Sequence, residues 1–301
     1  MSPPSQSGRQ TATGIAILLI SAIAVAIMPS GAKLAYEAGS APLTVLLLRC
    51  AIGVLLLGSG ALAVRGSLRI PRALLGRAVL TGLAASLMSY GFYGAIARIE
   101  ISLAILIMFT HPFLIAGITH LRGDGSLGGR YLLCGLVAFG GLGLALAVDL
   151  SRLDPLGIGL AALGSLACTA MVLGNARLSQ EVGSLLSNFY LTLISTAVFA
   201  LALLGSGDVR LPSGTVGWLG AISTGVAFAV AYATFFAAAR IIGVSRASLL
   251  SIIEPVFTIL LAMALFGETL SALQWIGVAL VLGGLFAAEA PGSWLRPSRK
   301  A

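Results

Sequence analysis

Ten apolar segments of about 20 residues follow one another along this 301-residue chain, separated by short stretches that carry charge, proline or glycine. A helix needs about 20 apolar residues to cross the roughly 30 Å hydrocarbon core of a bilayer. The segments therefore predict an all-α integral membrane protein with ten transmembrane helices. The predicted helices comprise residues 13–35, 42–64, 73–97, 102–121, 130–148, 155–178, 183–204, 214–239, 244–266 and 271–289.

The composition agrees with a chain that places most of its length in lipid. Hydrophobic residues make up 58% of the chain and charged residues 9%, whereas soluble domains are roughly a quarter charged. The net charge of +8 would suit a nucleic-acid partner, but the 18 basic residues form no basic stripe. We therefore expect the lipid bilayer as a partner and no nucleic acid.

The three cysteines indicate neither a metal site nor a disulfide framework. Cys50, Cys134 and Cys168 lie inside apolar segments at wide spacings, without a CxxC pair or an adjacent histidine. Zinc sites and disulfide frameworks need closely spaced ligands or paired cysteines. We expect no metal and no cofactor.

Basic residues concentrate on one side of the predicted membrane. In the ten-helix topology, 13 of the 18 basic residues fall on one side, in tails, loops or helix ends, four fall on the other side, and Arg49 lies inside the second helix. Cytoplasmic loops collect lysine and arginine. The contrast supports ten spans and predicts that both tails, residues 1–12 and 291–301, are cytoplasmic.

The two halves of the chain resemble each other at an offset near 143 residues. Matched segments include Ala97-Arg98-Ile99 with Ala239-Arg240-Ile241, His111-Pro112 with Glu254-Pro255, and Met28 with Met171. Five helices per repeat is an odd number, so the second copy enters the membrane from the opposite side. Inverted repeats are typical of transporters with a substrate site near the membrane midplane. We predict two inverted five-helix repeats, residues 13–150 and 151–290, around a central cavity.

The second half carries motifs of a known family. Residues 239–248 read A-R-x-x-G-x-S-x-A-S, and Glu254-Pro255-Val256-Phe257, Gly267-Glu268 and Gly283-Gly284 follow. Together with Pro42-Leu43-Thr44 and Arg49, this pattern resembles the EamA repeat of the drug/metabolite transporter superfamily, most closely that of bacterial aromatic amino-acid exporters. The resemblance implies a transporter of the bacterial inner membrane with a small-molecule substrate. It also implies that helices one to four and six to nine surround the cavity, with helices five and ten peripheral.

Two ionisable residues lie halfway along predicted helices, where an unpaired charge is costly. They are His111 in the fourth helix and Glu254 in the ninth. Each precedes a proline, which frees the carbonyl group four residues before it, that of Met108 or Ser251. The two residues either face a cavity or tie neighbouring helices together.

Polar and aromatic side chains recur on single faces of other predicted helices. Ser251 shares a face of the ninth helix with Glu254, and Asn188 belongs to a polar stripe of the seventh. Such stripes either line a cavity or form interhelical hydrogen bonds. Two aromatic faces recur at an offset of 142 residues, Ser86, Tyr90 and Tyr93 in the third helix and Phe228, Tyr232 and Phe235 in the eighth. These faces either hold a substrate group between them or pack within the protein.

The absence of certain charged residues from the predicted helices limits the classes of substrate. The first helix has no acidic residue of the kind by which small multidrug exporters hold cations, and no deep basic cluster suggests a sugar-phosphate substrate. We predict an exporter of neutral or zwitterionic metabolites, amino acids including aromatic ones, that works by alternating access. A multidrug or organic-cation exporter is the alternative. Proton exchange by Glu254 and His111 and passive diffusion down a gradient are both open.

Enzymatic activity and lipid handling are the competing classes. The chain has two histidines but neither a G-x-S-x-G nor an H-E-x-x-H motif, and an enzyme would have no use for an inverted repeat. We therefore predict no catalysis. Small residues recur every four positions at Ala279, Gly283 and Ala287, a spacing that permits close packing inside one chain, so a monomer is expected.

Overall fold

The computed structural model describes residues 8–96, 98–123, 128–147, 153–266 and 269–289. Within these residues, nine helical segments are long and apolar enough to cross a membrane, and a shorter apolar helix lies at the fifth predicted span. The prediction of an all-α membrane protein with ten spans is confirmed. Most of the two predicted tails lies outside the described residues, as do Ala97 and Gly267-Glu268 of the repeat motifs.

Twelve α-helices follow one another in the described part of the chain. They are α1 (Gly8–Glu37), α2 (Pro42–Arg65), α3 (Arg72–Ile96), α4 (Ile101–Met108), α5 (His111–Leu121), α6 (Gly129–Ala145), α7 (Pro155–Val182), α8 (Ser184–Ser206), α9 (Gly214–Ile242), α10 (Val244–Leu250), α11 (Glu254–Phe266) and α12 (Ala272–Glu289). The fourth span consists of α4 and α5. The ninth consists of α10, a 3-10 turn (Ser251–Ile253) and α11.

Local sequence explains where several helices begin and end. Proline, which lacks a backbone N–H, lies in the first turn of α2 (Pro42) and α7 (Pro155), where that group has no helical partner in any case. Single glycines connect α7 to α8 and α9 to α10. Gly183 and Gly243 have φ of 85° and 87°, a conformation that residues with a side chain rarely adopt. These one-residue connections force consecutive spans to turn back sharply.

Helix pairing follows the symmetry expected of inverted repeats. The most extensive contacts within the described residues are those of α1 along α9 and of α3 along α7. Exchange of the two repeats turns the first span into the sixth and the third into the eighth, so each of these pairs becomes the other. The pairs α2 with α8, α5 with α10 and α6 with α12 join equivalent spans. The contacts therefore obey a pseudo-two-fold relation between the two halves.

Small residues let the paired helices approach closely. An added Cβ on Gly91 of α3 would lie 2.7 Å from the backbone nitrogen of Gly164 in α7. On Gly277 of α12 it would lie 2.3 Å from the backbone nitrogen of Ala145 in α6. Lipid tails are as apolar as leucine, so close backbone packing of this kind drives helix association in membranes.

Ion pairs at both ends hold α3 against α7. Arg77 near the start of α3 pairs with Glu181 near the end of α7. Arg98, which follows α3, lies 3.1 Å from Asp154, the residue that caps the start of α7. The hydrogen bond from Arg98 holds the pKa of the Asp154 carboxyl below its usual range, so the pair stays charged near neutral pH. The third and sixth spans are thus connected at both membrane surfaces.

A second polar cluster joins the peripheral spans. Arg246 of α10 pairs with Glu289 of α12, and the carboxylate of Glu289 also accepts a hydrogen bond from the Tyr131 hydroxyl of α6. Arg130 of α6 donates to the backbone carbonyl of Ala287 in α12. This cluster fixes α6 and α12 to the ninth span.

We predict that Gly277→Ala lowers the melting temperature of the purified protein in detergent. The new methyl group meets the backbone of α6, and overpacking of this kind costs about 1–3 kcal/mol. Gly283→Ala on the same helix is the matched control, because nothing lies within 4 Å of its Cβ position. Equal melting temperatures for the two variants would contradict the described contact between α6 and α12.

Candidate functional site

Two spans are broken at equivalent places near the middle of the membrane. In the fourth span, α4 ends at Met108 and α5 begins at His111. In the ninth, α10 ends at Leu250, the 3-10 turn follows, and α11 begins at Glu254. Both breaks precede a proline, whose missing N–H cannot continue the helical hydrogen bonds. The ionisable residue before each proline therefore lies at the first turn of a new helix.

The histidine ring bonds to the backbone group that the proline leaves free. Nδ1 of His111 lies 2.9 Å from the carbonyl oxygen of Met108, four residues before Pro112. A carbonyl oxygen only accepts, so Nδ1 carries the proton and donates it. In the neutral ring Nε2 is then an acceptor. Protonation of the ring makes Nε2 a donor for an anionic group without breaking the bond to Met108.

A cavity of about 200 Å³ lies between these breaks. It is formed by the spans that contain α1, α3, α4 with α5, α7, α9 and α10 with α11. Its wall consists of Ser21, Val25, Met28, Met88, Met108, Phe109, His111, Cys168, Met171, Val172, Ala231, Tyr232, Phe235, Phe236, Ser251 and Glu254. No residue of the peripheral helices α6 and α12 lines it, as the family resemblance implied. The second and seventh spans, α2 and α8, also contribute none of these residues.

Glu254 is the one acidic residue in the wall of this cavity. Among the described residues, no hydrogen-bond donor and no cation pairs with its carboxyl group. By contrast, the carboxylates of Asp154, Glu181 and Glu289 each have an arginine partner. A carboxylate away from water is costly unless it is paired. Glu254 is therefore available to pair with a positive group that enters the cavity.

Aromatic side chains of α9 form one side of the cavity. Tyr232, Phe235 and Phe236 line it, and the ring of Tyr232 lies 4.3 Å from that of Phe228. In the described part of the chain, the Tyr232 hydroxyl has no hydrogen-bond partner. Arg49 of α2 lies over the other ring, 4.9 Å from the centroid of Phe228. The wall thus offers flat apolar surface with one free hydroxyl.

Five of the ten predicted site residues line the cavity: His111, Tyr232, Phe235, Ser251 and Glu254. The Ser251 hydroxyl donates to the carbonyl of Ser248 at 2.8 Å, so it already has a partner. Phe228 is buried behind Tyr232. Asn188, Phe228 and the predicted residues Ser86 and Tyr90 of the third helix are not among the residues of the cavity wall.

Asn188 lies behind the cavity wall and supports it. Its amide group donates to the backbone carbonyls of Tyr232 at 3.0 Å and Ser184 at 2.8 Å. Its oxygen accepts a hydrogen bond from Asn175 of α7 at 2.8 Å. Asn188 therefore joins α7, α8 and α9 at the level of the aromatic wall. Its polar stripe acts as an interhelical connection here, the second of the two interpretations that the sequence allows.

Two residues of the aromatic face predicted on the third helix, Ser86 and Tyr90, do not line the cavity. Tyr90 is 66% exposed at the outer surface of the bundle, and Ser86 is buried and donates to the carbonyl of Gly82. The side chain of Tyr93 lies outside the described part of the structure. The contact of Gly91 with the backbone of α7 sets the rotation of α3 and turns Met88, three residues earlier, toward the cavity. A sandwich of two matched aromatic faces is thus wrong for Tyr90.

Comparison with known proteins identifies the family. Residues 155–288 match the EamA-like transporter family. An uncharacterised transporter of Archaeoglobus fulgidus is 30% identical over 222 residues, which cover 73% of this chain and 77% of that protein. The chain belongs to the EamA-like transporter family. A solved crystal structure shares the fold, with a TM-score of 0.79 and 20% sequence identity, over 94% of this chain and 99% of the other. The chain is therefore a multi-pass membrane transporter.

Sequence reasoning missed several cavity residues of this EamA-family transporter. The largest missed group is sulfur-containing and consists of Met28, Met88, Met108, Cys168 and Met171. One signal was present, because Met28 and Met171 occupy matched positions of the two repeats. Apolar side chains of this kind have the same hydropathy as lipid-facing ones, so only the folded arrangement separates them.

We predict that a water-soluble mercurial inhibits transport by reacting with Cys168 and that a transported substrate slows this reaction. Cys168 and Cys50 are both buried, but Cys168 lines the cavity and Cys50 is not among its residues. Transport by Cys168→Ala should resist the reagent, and Cys50→Ala should stay as sensitive as the parent. Uptake into proteoliposomes measures both. Inhibition of Cys168→Ala to the parent's extent would contradict the assignment of this cavity to the substrate path.

Proposed function

We propose that this transporter exports small zwitterionic metabolites, amino acids that include aromatic ones, from the cytoplasm of a bacterium across its inner membrane. The unpaired carboxyl group of Glu254, in a cavity otherwise lined mostly by apolar side chains, carries the proposal. In such surroundings an ammonium group gains a charge-assisted hydrogen bond that water does not screen. The substrate amino group would therefore bind at Glu254.

The side chain and the carboxylate of an amino acid would also have complementary groups in the cavity wall. The aromatic side of the cavity, formed by Tyr232, Phe235 and Phe236, suits an apolar or aromatic side chain. His111, the first residue of α5, also lines the cavity. A substrate carboxylate would bind there, and uptake of a proton by the His111 ring together with the substrate would make Nε2 its hydrogen-bond donor. The ammonium and the carboxylate would then contact opposite repeats.

Alternating access would follow from the symmetric helix pairs. The pair of α3 and α7 and the pair of α1 and α9 exchange places under the pseudo-two-fold relation. Movement of one pair against the other would open the cavity to one membrane surface and close it to the other. The excess of basic residues on the side of the two tails supports a cytoplasmic location of both termini. A single chain contains all of these parts, in agreement with a monomer.

An organic-cation exporter is the second candidate, and the charge of the cavity favours it. The wall contains one carboxyl group, and no lysine or arginine is among its residues. Aromatic rings beside a carboxylate also attract cations through their faces. The two candidates differ in their need for His111. A zwitterion has a carboxylate that would bind there, whereas an organic cation has none.

We predict that Glu254→Gln lowers transport efficiency for amino acids by about 30- to 4,000-fold. Truncation of one partner of a buried charge pair costs roughly 2–5 kcal/mol, and each 1.4 kcal/mol is tenfold. Glu181→Gln is the matched control, because that carboxylate lies in an exposed ion pair with Arg77 and should change transport less than about threefold. Uptake of radiolabelled amino acids into proteoliposomes measures the effect. Normal transport by Glu254→Gln would exclude this carboxyl group from substrate binding.

We further predict that the parent protein transports tryptophan at least about tenfold more efficiently than tryptamine, which lacks the carboxylate. His111→Ala should reduce tryptophan transport toward the tryptamine rate and leave tryptamine transport nearly unchanged. Preference for tryptamine, with equal effects of His111→Ala on both compounds, would overturn the amino-acid proposal in favour of organic cations. Uptake by the same vesicles under an imposed pH gradient tests proton exchange. An uptake rate that does not change with the gradient would exclude proton exchange.

A further inference from the structure

Methionine makes up an unusual share of the cavity wall. Four of the six methionines of the chain line the cavity, and they come from four different helices. They are Met28 of α1, Met88 of α3, Met108 of α4 and Met171 of α7. Met263 of α11 is the described methionine that does not line it. Met28 and Met171 occupy matched positions of the two repeats, so thioether groups reach the cavity from both halves.

Three of these side chains pack around the aromatic wall. Met88, Met108 and Met171 belong to one apolar cluster that also contains Tyr232 and Phe235. The cluster lies at the junction of the third, fourth, sixth and eighth spans. Three methionines therefore lie in the same cluster as the aromatic side chains that we assign to the substrate side chain.

A glycine makes room for one of the sulfur atoms. An added Cβ on Gly164 of α7 would lie 2.7 Å from Sδ of Met108. The same glycine lies against the backbone of α3 near Met88, where its added Cβ would be 3.4 Å from the Met88 carbonyl oxygen. The sulfur of Met108 thus occupies space that any larger residue at position 164 would take. Met88 and Met108 are only partly buried, and both line the cavity.

Methionine differs from the branched aliphatic residues in two relevant ways. Its unbranched chain has three rotatable bonds and fills irregular gaps, and its polarisable sulfur makes favourable contacts with aromatic rings. Leucine has nearly the same volume but fewer, better defined rotamers. A cavity wall of methionine side chains can therefore change shape around different substrates at little cost in free energy, whereas a wall of leucine side chains has one preferred shape.

We propose that Met88, Met108 and Met171 set the substrate range of the transporter by adapting the cavity to side chains of different size. Their chains retract for an indole ring, which then gains sulfur contacts, and extend to fill the space beside an aliphatic side chain. The inference rests on the proposed function for the identity of the substrates. It assigns the breadth of the range to the methionines and the recognition of the amino group to Glu254.

The test compares Met→Leu variants over a graded panel of substrates. Efficiencies for tryptophan, phenylalanine, leucine and alanine are measured in proteoliposomes for the parent, the single variants Met88→Leu, Met108→Leu and Met171→Leu, and the triple variant. Met263→Leu is the matched control, with the same substitution outside the cavity. Melting temperatures confirm that each variant folds, as expected for volume-conserving changes.

We expect each single variant to lower the ratio of tryptophan to leucine transport efficiency by roughly two- to tenfold, because it loses one sulfur–aromatic contact and such a contact contributes about that factor to binding. The triple variant should lower this ratio further, with leucine and alanine transport within about twofold of the parent, and Met263→Leu should leave it unchanged. Equal losses for all four substrates, or an unchanged ratio in the triple variant, would overturn the inference while the proposed function stands.

A parent protein that transports no amino acid would overturn the proposed function instead. The methionine inference is then tested with organic cations, as the ratio of a large aromatic cation such as ethidium to tetramethylammonium. The triple variant should lower that ratio as well. An unchanged ratio there would overturn the inference independently.

Discussion

Two prolines, each directly after an ionisable residue in the middle of a membrane span, are the constraint on which the site depends. Hydrocarbon offers no hydrogen bonds, so every backbone group freed by a proline needs a partner within the protein. At the first break the partner is a side chain, because the ring of His111 donates to the carbonyl of Met108. At the second break the chain tightens into a 3-10 turn, in which the N–H of Glu254 bonds to the carbonyl of Ser251. The carbonyl group freed by proline thus has a side-chain partner in one repeat and a backbone partner in the other. As a result, one imidazole and one carboxyl group lie beside the same cavity.

The frame of the protein is symmetric, but the chemistry inside it is not. Helix pairs exchange between the repeats, and glycines permit close contact in both the α3–α7 and the α6–α12 pairs. In the cavity, however, α9 supplies aromatic rings where its equivalent α3 supplies Met88. Under the proposed alternating access, symmetric packing would provide two related conformations, and the asymmetric lining would hold a substrate in one orientation. The polar support from Asn188 adds to this asymmetry, because it fixes the backbone of α9 at Tyr232.

The sequence was sufficient for the spans and the repeat, and it marked the two positions where a proline frees a backbone carbonyl, since each depends on local physics. Lipid thickness determines span length, an odd number of helices per repeat determines the inversion, and proline determines the breaks. Polar and aromatic residues are easily recognised in apolar helices. For this reason the sequence could predict five residues of the cavity wall: His111, Glu254, Ser251, Tyr232 and Phe235. Tyr90 was not predictable in the same way. Periodicity shows which residues share a face of α3, but the contact of Gly91 with α7 decides where that face points.

The central claim is that the cavity holds the substrate by its amino group at Glu254. A crystal structure with 5-bromotryptophan tests it most directly, because anomalous scattering from bromine locates the side chain independently of the ligand's fit to density. We expect the bromine among Met88, Met171 and Phe235, with the ligand nitrogen within about 3.2 Å of a Glu254 carboxyl oxygen. A ligand outside the cavity, or one whose amino group points away from Glu254, would contradict it.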